Sequence, residues 1–599
     1  MSQIQSAPYI LFDFVDENRV KQRKIFKDPI EIVTALSPSE VKPALKRIQE
    51  AVKRGYYAVG YLSYEAAPAF DSAFNVHPNV VMPLVWFGIF AQYETDHECS
   101  EGNYRISEWK PTLTEESYHE SIHQIHEAIA RGDTYQVNYT MRLRSHFEGD
   151  SYALYTRLCD AQQADFSAML QLGDFSILSA SPELFFRKIG NQIITRPMKG
   201  TVKRGLWQEQ DELLSKWLHQ SVKNRAENVM ITDLLRNDLS LIAETGSVHV
   251  PSLFDIEKYY TLFQMTSTVT ANIRPDVEMS DIFAALFPCG SITGAPKIST
   301  MNLIHELEHT PREIYCGSIG MMSPDGSAIF NVAIRTVWID HRSGQAEYGV
   351  GGGITWDSTA SDEYEEAKTK ALLLTEVKPK FELLESLRLE NGTYTMLDEH
   401  IARMLDSALY LDFKANSEEI RKALIQHAQH HPAGLRKVRL LLSRSGSISV
   451  NSATITDFEG KLTVSIAEHP VPSNHRFLYH KTTHRTMYDK HRNQNDHAYD
   501  VLLWNEKGEL TEFTTGNVVV ELEGKRYTPR RESGLLAGVL RNQLLADGII
   551  AERVLTLDDV THASQIWLIN SVRGWLPVQL TEDGMHASAR NNLFNLTVG

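Results

Sequence analysis

Arg225-Ala226-Glu227-Asn228-Val229-Met230-Ile231-Thr232-Asp233-Leu234-Leu235-Arg236-Asn237-Asp238 carries a helical period, with Ile231, Leu234 and Leu235 on one face. The pattern predicts a helix from Ala226 to Leu239, with Glu227 about a turn before the apolar face and free to project toward a site. Far downstream, Asp362-Glu363-Tyr364-Glu365-Glu366 opens a second acidic helix on which Glu363 and Glu366 share a face. Carboxylates from two helices suit magnesium, which takes oxygen ligands and keeps part of its shell open. On pattern alone, two solvated acidic faces are the simpler reading.

Working outward, Ser181-Pro182-Glu183 and Pro197-Met198-Lys199-Gly200-Thr201 flank a hairpin with Gly190-Asn191 at its turn. A three-residue turn would set Glu183 across from Lys199 on one face, whereas a two-residue turn would put them on opposite faces. On one face they would pair a nucleophile with a proton carrier; a surface ion pair reads as well. Gly290-Ser291-Ile292-Thr293-Gly294-Ala295-Pro296-Lys297 is a loop of small residues entering a helix. Gly351-Gly352-Gly353 is read as a loop exposing backbone N–H groups near Thr355. Such loops hold carboxylates through oriented amides, although three glycines also make a plain tight turn.

The chain around these segments has 599 residues, enough for about three to five domains. Its apolar content of 42% and charged content of 23% are those of a globular protein. A net charge of −16 argues against a general nucleic-acid binder but leaves room for a local cluster of cations around an anionic substrate. Cys99, Cys159, Cys289 and Cys316 form no CxxC pair, so a reduced, cytoplasmic setting is expected. The N-terminus has no basic leader and reads as no signal peptide; Val80 to Ala91 is too short to span a bilayer and is expected to be a buried strand.

The best boundary lies at Val377-Lys378-Pro379-Lys380, between a helical pattern from Glu363 to Thr375 and a strand-like segment from Phe381 to Leu389. Before it, strands at Tyr57–Tyr64, Phe175–Ser179, Glu183–Lys188 and Gln192–Met198 alternate with helices at Thr114–Ala130 and Ile298–Leu307. After it, strands at Lys437–Leu442, Lys461–Ala467 and Asn517–Leu522 mix with helices at Asp398–Tyr410 and Gly538–Ala546. Both halves read as α+β.

In order along the chain, SPE, PMKGT, RAENVMITDLLRND, GSITGAPK, FNVAIRT and GGGITWDSTASDEYEEAKTKA resemble the chorismate-utilising enzymes, a family that includes anthranilate, isochorismate and aminodeoxychorismate synthases. The match runs from about Gly132 to Leu373; Gly60-Tyr61-Leu62-Ser63-Tyr64-Glu65 resembles the family more weakly. The resemblance implies a two-sheet β-sandwich with surrounding helices over 1–376, in which residues 1–110 match more weakly and residues 111–376 form the chorismate-binding core. It implies Glu227, Glu363 and Glu366 at a magnesium ion, and Thr201, Tyr315, Arg335, Gly351, Gly353 and Lys370 at the substrate. A guanidinium such as that of Arg335 suits a substrate carboxylate.

Lys199 stands where anthranilate synthases resemble one another in having alanine and aminodeoxychorismate synthases in having lysine. The resemblance therefore implies that Lys199 attacks the ring as the 4-hydroxyl leaves, with Glu183 as general acid and ammonia entering after it. Two positions depart from the family: Gln264 where relatives have histidine, and Asn224 where an acidic residue is usual. No cysteine lies in a nucleophile elbow, so ammonia is expected from a separate glutamine amidotransferase subunit or from solution.

After the 377–380 link, Leu397 to Met404, His480-Lys481-Thr482-Thr483-His484-Arg485, Leu510 to Asn517, Gly534 to Arg541 and Asn570 to Gly574 follow in order. Lys481 without context would be a surface lysine. Together the segments resemble the class IV, branched-chain type, pyridoxal-phosphate enzymes over 381–599. The resemblance implies a two-domain fold, Lys481 as the lysine bonded to the cofactor, Glu512 at its pyridine nitrogen and Arg403 at its phosphate. Backbone N–H groups of Val539 and Leu540 and the loop at Ser571 would complete the phosphate cup. Class IV members form dimers, so a homodimer through this half is implied. Because the first half would deliver aminodeoxychorismate, the second is expected to be the lyase that releases pyruvate and 4-aminobenzoate for folate synthesis. The alternatives are an amino-acid aminotransferase in the second half or an anthranilate synthase in the first.

Overall fold

The computed structural model describes residues 7–16, 19–95, 102–375, 379–456, 462–495 and 497–581. Val377 and Lys378 of the expected link, the first residues of the N-terminus and Cys99 lie outside the described residues. The chain forms two compact units, Met1–Lys203 with Ser215–Lys378, and Arg204–Leu214 with Pro379–Gly599. The halves expected from the sequence are contiguous; in the fold, residues 204–214 pack with the second unit.

The first unit is built on two ten-stranded sheets among the described residues. Their strands alternate in what they cover, as the period of two requires. Ile10, Phe12, Ala168, Ile177, Val59, Tyr61 and Trp86, from both sheets, meet in one shared core. The intervening Leu11, Met169 and Leu178 face outward, with Ile122, Ile125 and Ile304 of helices Glu115–Arg131 and Lys297–Leu307 in their cluster. On the other sheet, Ala58, Leu62 and Phe87 share a cluster with helices Pro38–Lys53, Val222–Ser240 and Met279–Leu286. The result is a two-sheet sandwich covered by helices on both outer faces. Strands apolar on both sides follow, such as Val85–Phe90, buried throughout; it occupies only the later portion of the expected strand from Val80.

One open alternative is decided and two local expectations change. The hairpin pairs Ile189 with Gln192, so the turn has two residues, and a register shift follows between Leu184 and Arg187. Pro197 divides the strand expected over Gln192–Met198 into Gln192–Arg196 and Met198–Lys203, and both pieces pair with Leu262–Asn272. Gly351, Gly352 and Gly353 are not a loop: they lie in strand Gln345–Ile354, opposite Thr140, Tyr139 and Asn138.

In the second unit, a four-stranded sheet carries helices Leu397–Leu411 and Ser417–Gln429 through Ile401, Met404, Leu424 and Val438. An eight-stranded sheet of mixed direction packs Leu502, Val518, Leu568 and Val578 into a separate core. The segment carrying Lys481 is tied to the edge of the four-stranded sheet: Leu384 N–H donates to the Lys481 carbonyl at 2.9 Å and Glu382 N–H donates to Thr483 Oγ1 at 2.9 Å.

Candidate active sites

A cavity of about 360 Å³ in the first unit brings together Glu183, Lys199, Thr201, Glu227, Tyr315, Arg335, Gly351, Gly353, Glu363, Glu366 and Lys370. The two-residue turn alone would put Glu183 and Lys199 on opposite faces; the register shift that follows sets Leu184 opposite Arg196, and this brings Glu183, just before Leu184–Ile189, and Lys199, on strand Met198–Lys203, to one side. Burial pushes the Glu183 carboxyl up to about 7, while the Ser291 hydroxyl donates to its Oε1 at 2.6 Å and Lys199 draws the value partly back. Burial pulls the Lys199 ammonium down; Glu227 opposes the shift and Lys370 reinforces it. Burial thus favours the protonated acid and the neutral amine, and both groups face the same space.

The glycines make room for these groups. A Cβ on Gly353 would lie 2.6 Å from Lys199 Nζ and 2.8 Å from Gln136 Nε2; one on Gly351 would lie 2.1 Å from the Tyr139 carbonyl oxygen. The carboxylates lie beside the strand. The Cβ position of Gly352 is 2.9 Å from Glu363 Oε2 and 3.8 Å from Glu366 Oε1. Glu366 is ion-paired with Lys370 at 2.7 Å, which holds its pKa down, and Lys370 also donates to the Gly351 carbonyl at 2.8 Å. Burial raises Glu363, with Glu366 adding repulsion, and burial raises Glu227. Among the described residues no three ligating side chains form a ready metal cluster. The site instead offers separate carboxylates that repel one another, a donor set that fits a hard cation completing its shell from substrate and water.

Arg335 sits at φ 54° and donates to the Lys370 carbonyl at 3.0 Å. Gln264, in place of the family histidine, accepts from Thr201 Oγ1 and donates to the Gly200 carbonyl, both at 3.0 Å, so it fixes the strand carrying Lys199. Two residues escaped the sequence reading. Ser291 had a signal, its place in the small-residue loop. Gln136 had none: it is 1% exposed, and neither amide atom has a hydrogen-bond partner within the fold.

A second cavity, of about 430 Å³, brings together Arg403, Lys481, Glu512, Val539, Leu540 and Ser571. Burial, aided by Arg403, lowers Lys481 to about 8, and burial raises Glu512 to about 7. Glu512 accepts from Tyr488 OH at 2.8 Å and from Leu536 N–H at 3.3 Å. Arg403 grips Glu385 through two bonds of 2.8 and 2.6 Å, and His400 adds a third at 2.7 Å. Burial opposes ionisation of Glu385, but Arg403 and His400 outweigh it and bring it to about 2. Gly538 caps helix Val539–Ala546, whose first N–H groups border the cavity beside Arg403. An enclosed lysine, a buried carboxylate and a guanidinium near a helix N-terminus fit a cofactor with a carbonyl, a ring nitrogen and a phosphate. The same cavity is also lined by Lys437, Arg439, Arg485 and Arg573, and no ion pair is found for any of them among the described residues. Burial lowers Lys437, and Arg439, Arg573 and Arg485 lower it further.

Residues 7–376 match the model of the chorismate binding enzymes, and the chain belongs to that family. Residues 382–580 match the model of the class IV amino-transferases. The aminodeoxychorismate synthase component 1 of Escherichia coli (strain K12) is 41% identical over 264 residues, 44% of this chain and 58% of that protein. Its counterpart in Bacillus subtilis (strain 168) is 39% identical over 262 residues, 44% of this chain and 55% of that protein. The chain thus spans little more than half the length of these curated relatives. The crystal structure of anthranilate synthase component I from Streptococcus pneumoniae TIGR4 shares the fold, with a TM-score of 0.51 at 22% identity, covering 63% of this chain and 94% of that one.

Proposed function

We propose that this chain makes 4-aminobenzoate from chorismate in two steps, one in each unit. The observation that carries the reading is the pairing of Lys199 with Glu183 in one cavity, with the amine's pKa lowered and the carboxyl's raised to about 7. In the first step Glu183, oriented by Ser291, gives its proton to the departing 4-hydroxyl as the Lys199 amine bonds to C2. Ammonia then bonds to C4, Lys199 leaves, and the sum is hydroxyl replaced by amine with release of water. Glu227, Glu363 and Glu366 would hold magnesium against one substrate carboxylate, and Arg335 would take the other. The relatives' naming as component 1 supports a separate glutamine amidotransferase subunit as ammonia donor.

In the second step 4-amino-4-deoxychorismate loses pyruvate. Pyridoxal phosphate supplies an electron sink when bound. Arg403 and the N–H groups of Val539 and Leu540 would hold its phosphate, with Ser571 beside them and Glu512 at its ring nitrogen. Lys481, with a pKa of about 8, moves the C4 proton of the substrate. The cationic wall of Lys437, Arg439, Arg485 and Arg573 favours a substrate with two carboxylates over a monocarboxylic amino acid. The test is product analysis from chorismate, magnesium, ammonia and pyridoxal phosphate. The reading requires 4-aminobenzoate and pyruvate without an added keto acid; anthranilate, or a requirement for a keto acid, would sink it.

A further inference from the structure

The residues behind Lys481 come from two distant stretches of the chain. His480, 4% exposed, contacts Ser407 Oγ through Nδ1 at 3.0 Å and the Leu206 carbonyl oxygen through Nε2 at 3.0 Å. Its ring stacks on Tyr410 at 4.4 Å and 17°. Tyr410 OH donates to the Gly205 carbonyl at 2.6 Å, and Arg204 donates to the Tyr410 carbonyl at 2.9 Å. Asp211 then locks Arg204 with bonds of 2.7 and 2.8 Å and accepts from Gly205 N–H at 2.9 Å. Next along the chain, Trp207 packs on Tyr479 at 5.1 Å, under the Arg531 guanidinium at 4.5 Å. Trp207 shares a core with Tyr479 and Tyr488, and Tyr488 is the donor to Glu512.

We propose that residues 204–207, which directly follow the strand carrying Lys199 and Thr201, are a positioning clamp for Lys481. The clamp acts through His480 and Tyr479, the two residues that precede Lys481. It does two things. It fixes the backbone from which Lys481 projects, using an imidazole whose two nitrogens are both engaged. It also closes the apolar layer behind the lysine, and burial is the largest cause of that lysine's lowered pKa of about 8. Burial likewise pushes His480 down to about 3, so its ring stays neutral and adds no charge beside the amine. The first family match thus supplies a portion of the second unit's site.

The inference rests on Lys481 as the functional lysine, so the test reads Lys481 without the cofactor. In the full-length chain, competitive methylation of Lys481 followed by mass spectrometry across neutral and alkaline pH gives the amine's own titration. Trp207→Ala and His480→Phe, the latter keeping a ring against Tyr410 but losing both nitrogens, are each expected to move the Lys481 midpoint upward. The expected shift is about one pH unit, or about tenfold less neutral amine at a given pH. Pyridoxal phosphate affinity, read by absorbance, should weaken about tenfold, the order found for outer-shell partners of a ligating group. Trp207→Phe should restore both values, and chorismate consumption should stay within about twofold throughout. An unchanged Lys481 midpoint in both variants, or equal loss of chorismate consumption and cofactor affinity, overturns the clamp. If the parent chain binds no cofactor while its Lys481 titration responds as expected, the cofactor reading fails and the clamp stands.

Discussion

Two lysines face two cavities, and their surroundings divide their tasks. Lys199 lies among carboxylates and Lys370, and its neighbour Glu183 is an acid held near neutrality by burial and a serine. Lys481 lies among guanidiniums, with Glu512 and Glu385 as the carboxylates acting on it. Burial lowers both amines, but for different ends. In the proposed reading the first site would offer an amine and a proton donor to one substrate, so that its chemistry would reside in protein side chains and a cation. The second would offer an anchor, a phosphate cup and a ring-nitrogen partner, so that its chemistry would reside in what it holds. A lowered amine pKa does not by itself mark a functional lysine, since burial also lowers Lys24 and Lys188 outside both cavities; the neighbours distinguish the cases.

The sharpest way to break this division is to remove each lysine alone. Lys481→Ala should cut 4-aminobenzoate output about a thousandfold or more, while chorismate is still consumed and the aminated intermediate accumulates. Lys199→Ala should do the reverse, with chorismate persisting and supplied 4-amino-4-deoxychorismate still cleaved. Liquid chromatography with mass detection reads both; parallel loss of both steps in either variant would refute separate sites. Next in size, Glu183→Gln should slow amination by about a hundredfold to ten-thousandfold. Its pH profile adds a sign. Glu183 must hold its proton and Lys199 must have lost one, so the parent rate should fall as pH rises through about 7 on the acid's limb. The variant should lose that limb.

Much of both sites was legible because it follows local order. The helix at Arg225–Asp238, the small-residue loop and the lysine-bearing segments each carry their own pattern, and the structure gathers all the expected residues into two cavities. What was illegible depends on pairing and breaks. A register shift between Leu184 and Arg187 follows the two-residue turn, so the Glu183–Lys199 relation could not be settled by counting turn residues. The three glycines read as a loop because the sequence does not show that Tyr139 and Asn138 lie opposite them. Gln136 sits at the start of a strand with nothing in its neighbours to mark it, and residues 204–207 carry no sign that they pack behind Lys481.

Glu385 tests the second site by stability. Its ionised form is held by Arg403 and His400 at a pKa of about 2, below the ordinary value of about 4.3. A depressed carboxylate stabilises fully above its unfolded pKa and loses that contribution as pH falls through its folded one. The second unit should therefore weaken between about pH 4 and pH 2 by on the order of 3 kcal/mol from this group. Glu385→Ala should cost about 3–5 kcal/mol near neutral pH, because it strands Arg403 and His400. Urea unfolding of the two proteins across that range reads both effects; identical acid limbs would remove Glu385 from the account.

The smallest effect separates the two candidate activities of the second site. Lys437 lines the cavity from strand Leu435–Leu442, partly desolvated there yet still reached by water, so after screening its contact with a substrate carboxylate is worth about 0.5–1 kcal/mol. Lys437→Gln should raise KM for 4-amino-4-deoxychorismate about threefold to fivefold and leave kcat unchanged, because the carboxylate is bound alike in ground and transition states. Cofactor affinity should not change, since in the proposed reading Arg403 and the helix N-terminus, not Lys437, would hold the phosphate. The effect should shrink at high salt, as the screening of an exposed charge requires. A monocarboxylic amino acid whose far end is apolar should bind no worse, and even better, once that unpaired cation is gone. The same substitution therefore moves the two substrates in opposite directions, and steady-state KM values for both tell whether the wall was built for a second carboxylate.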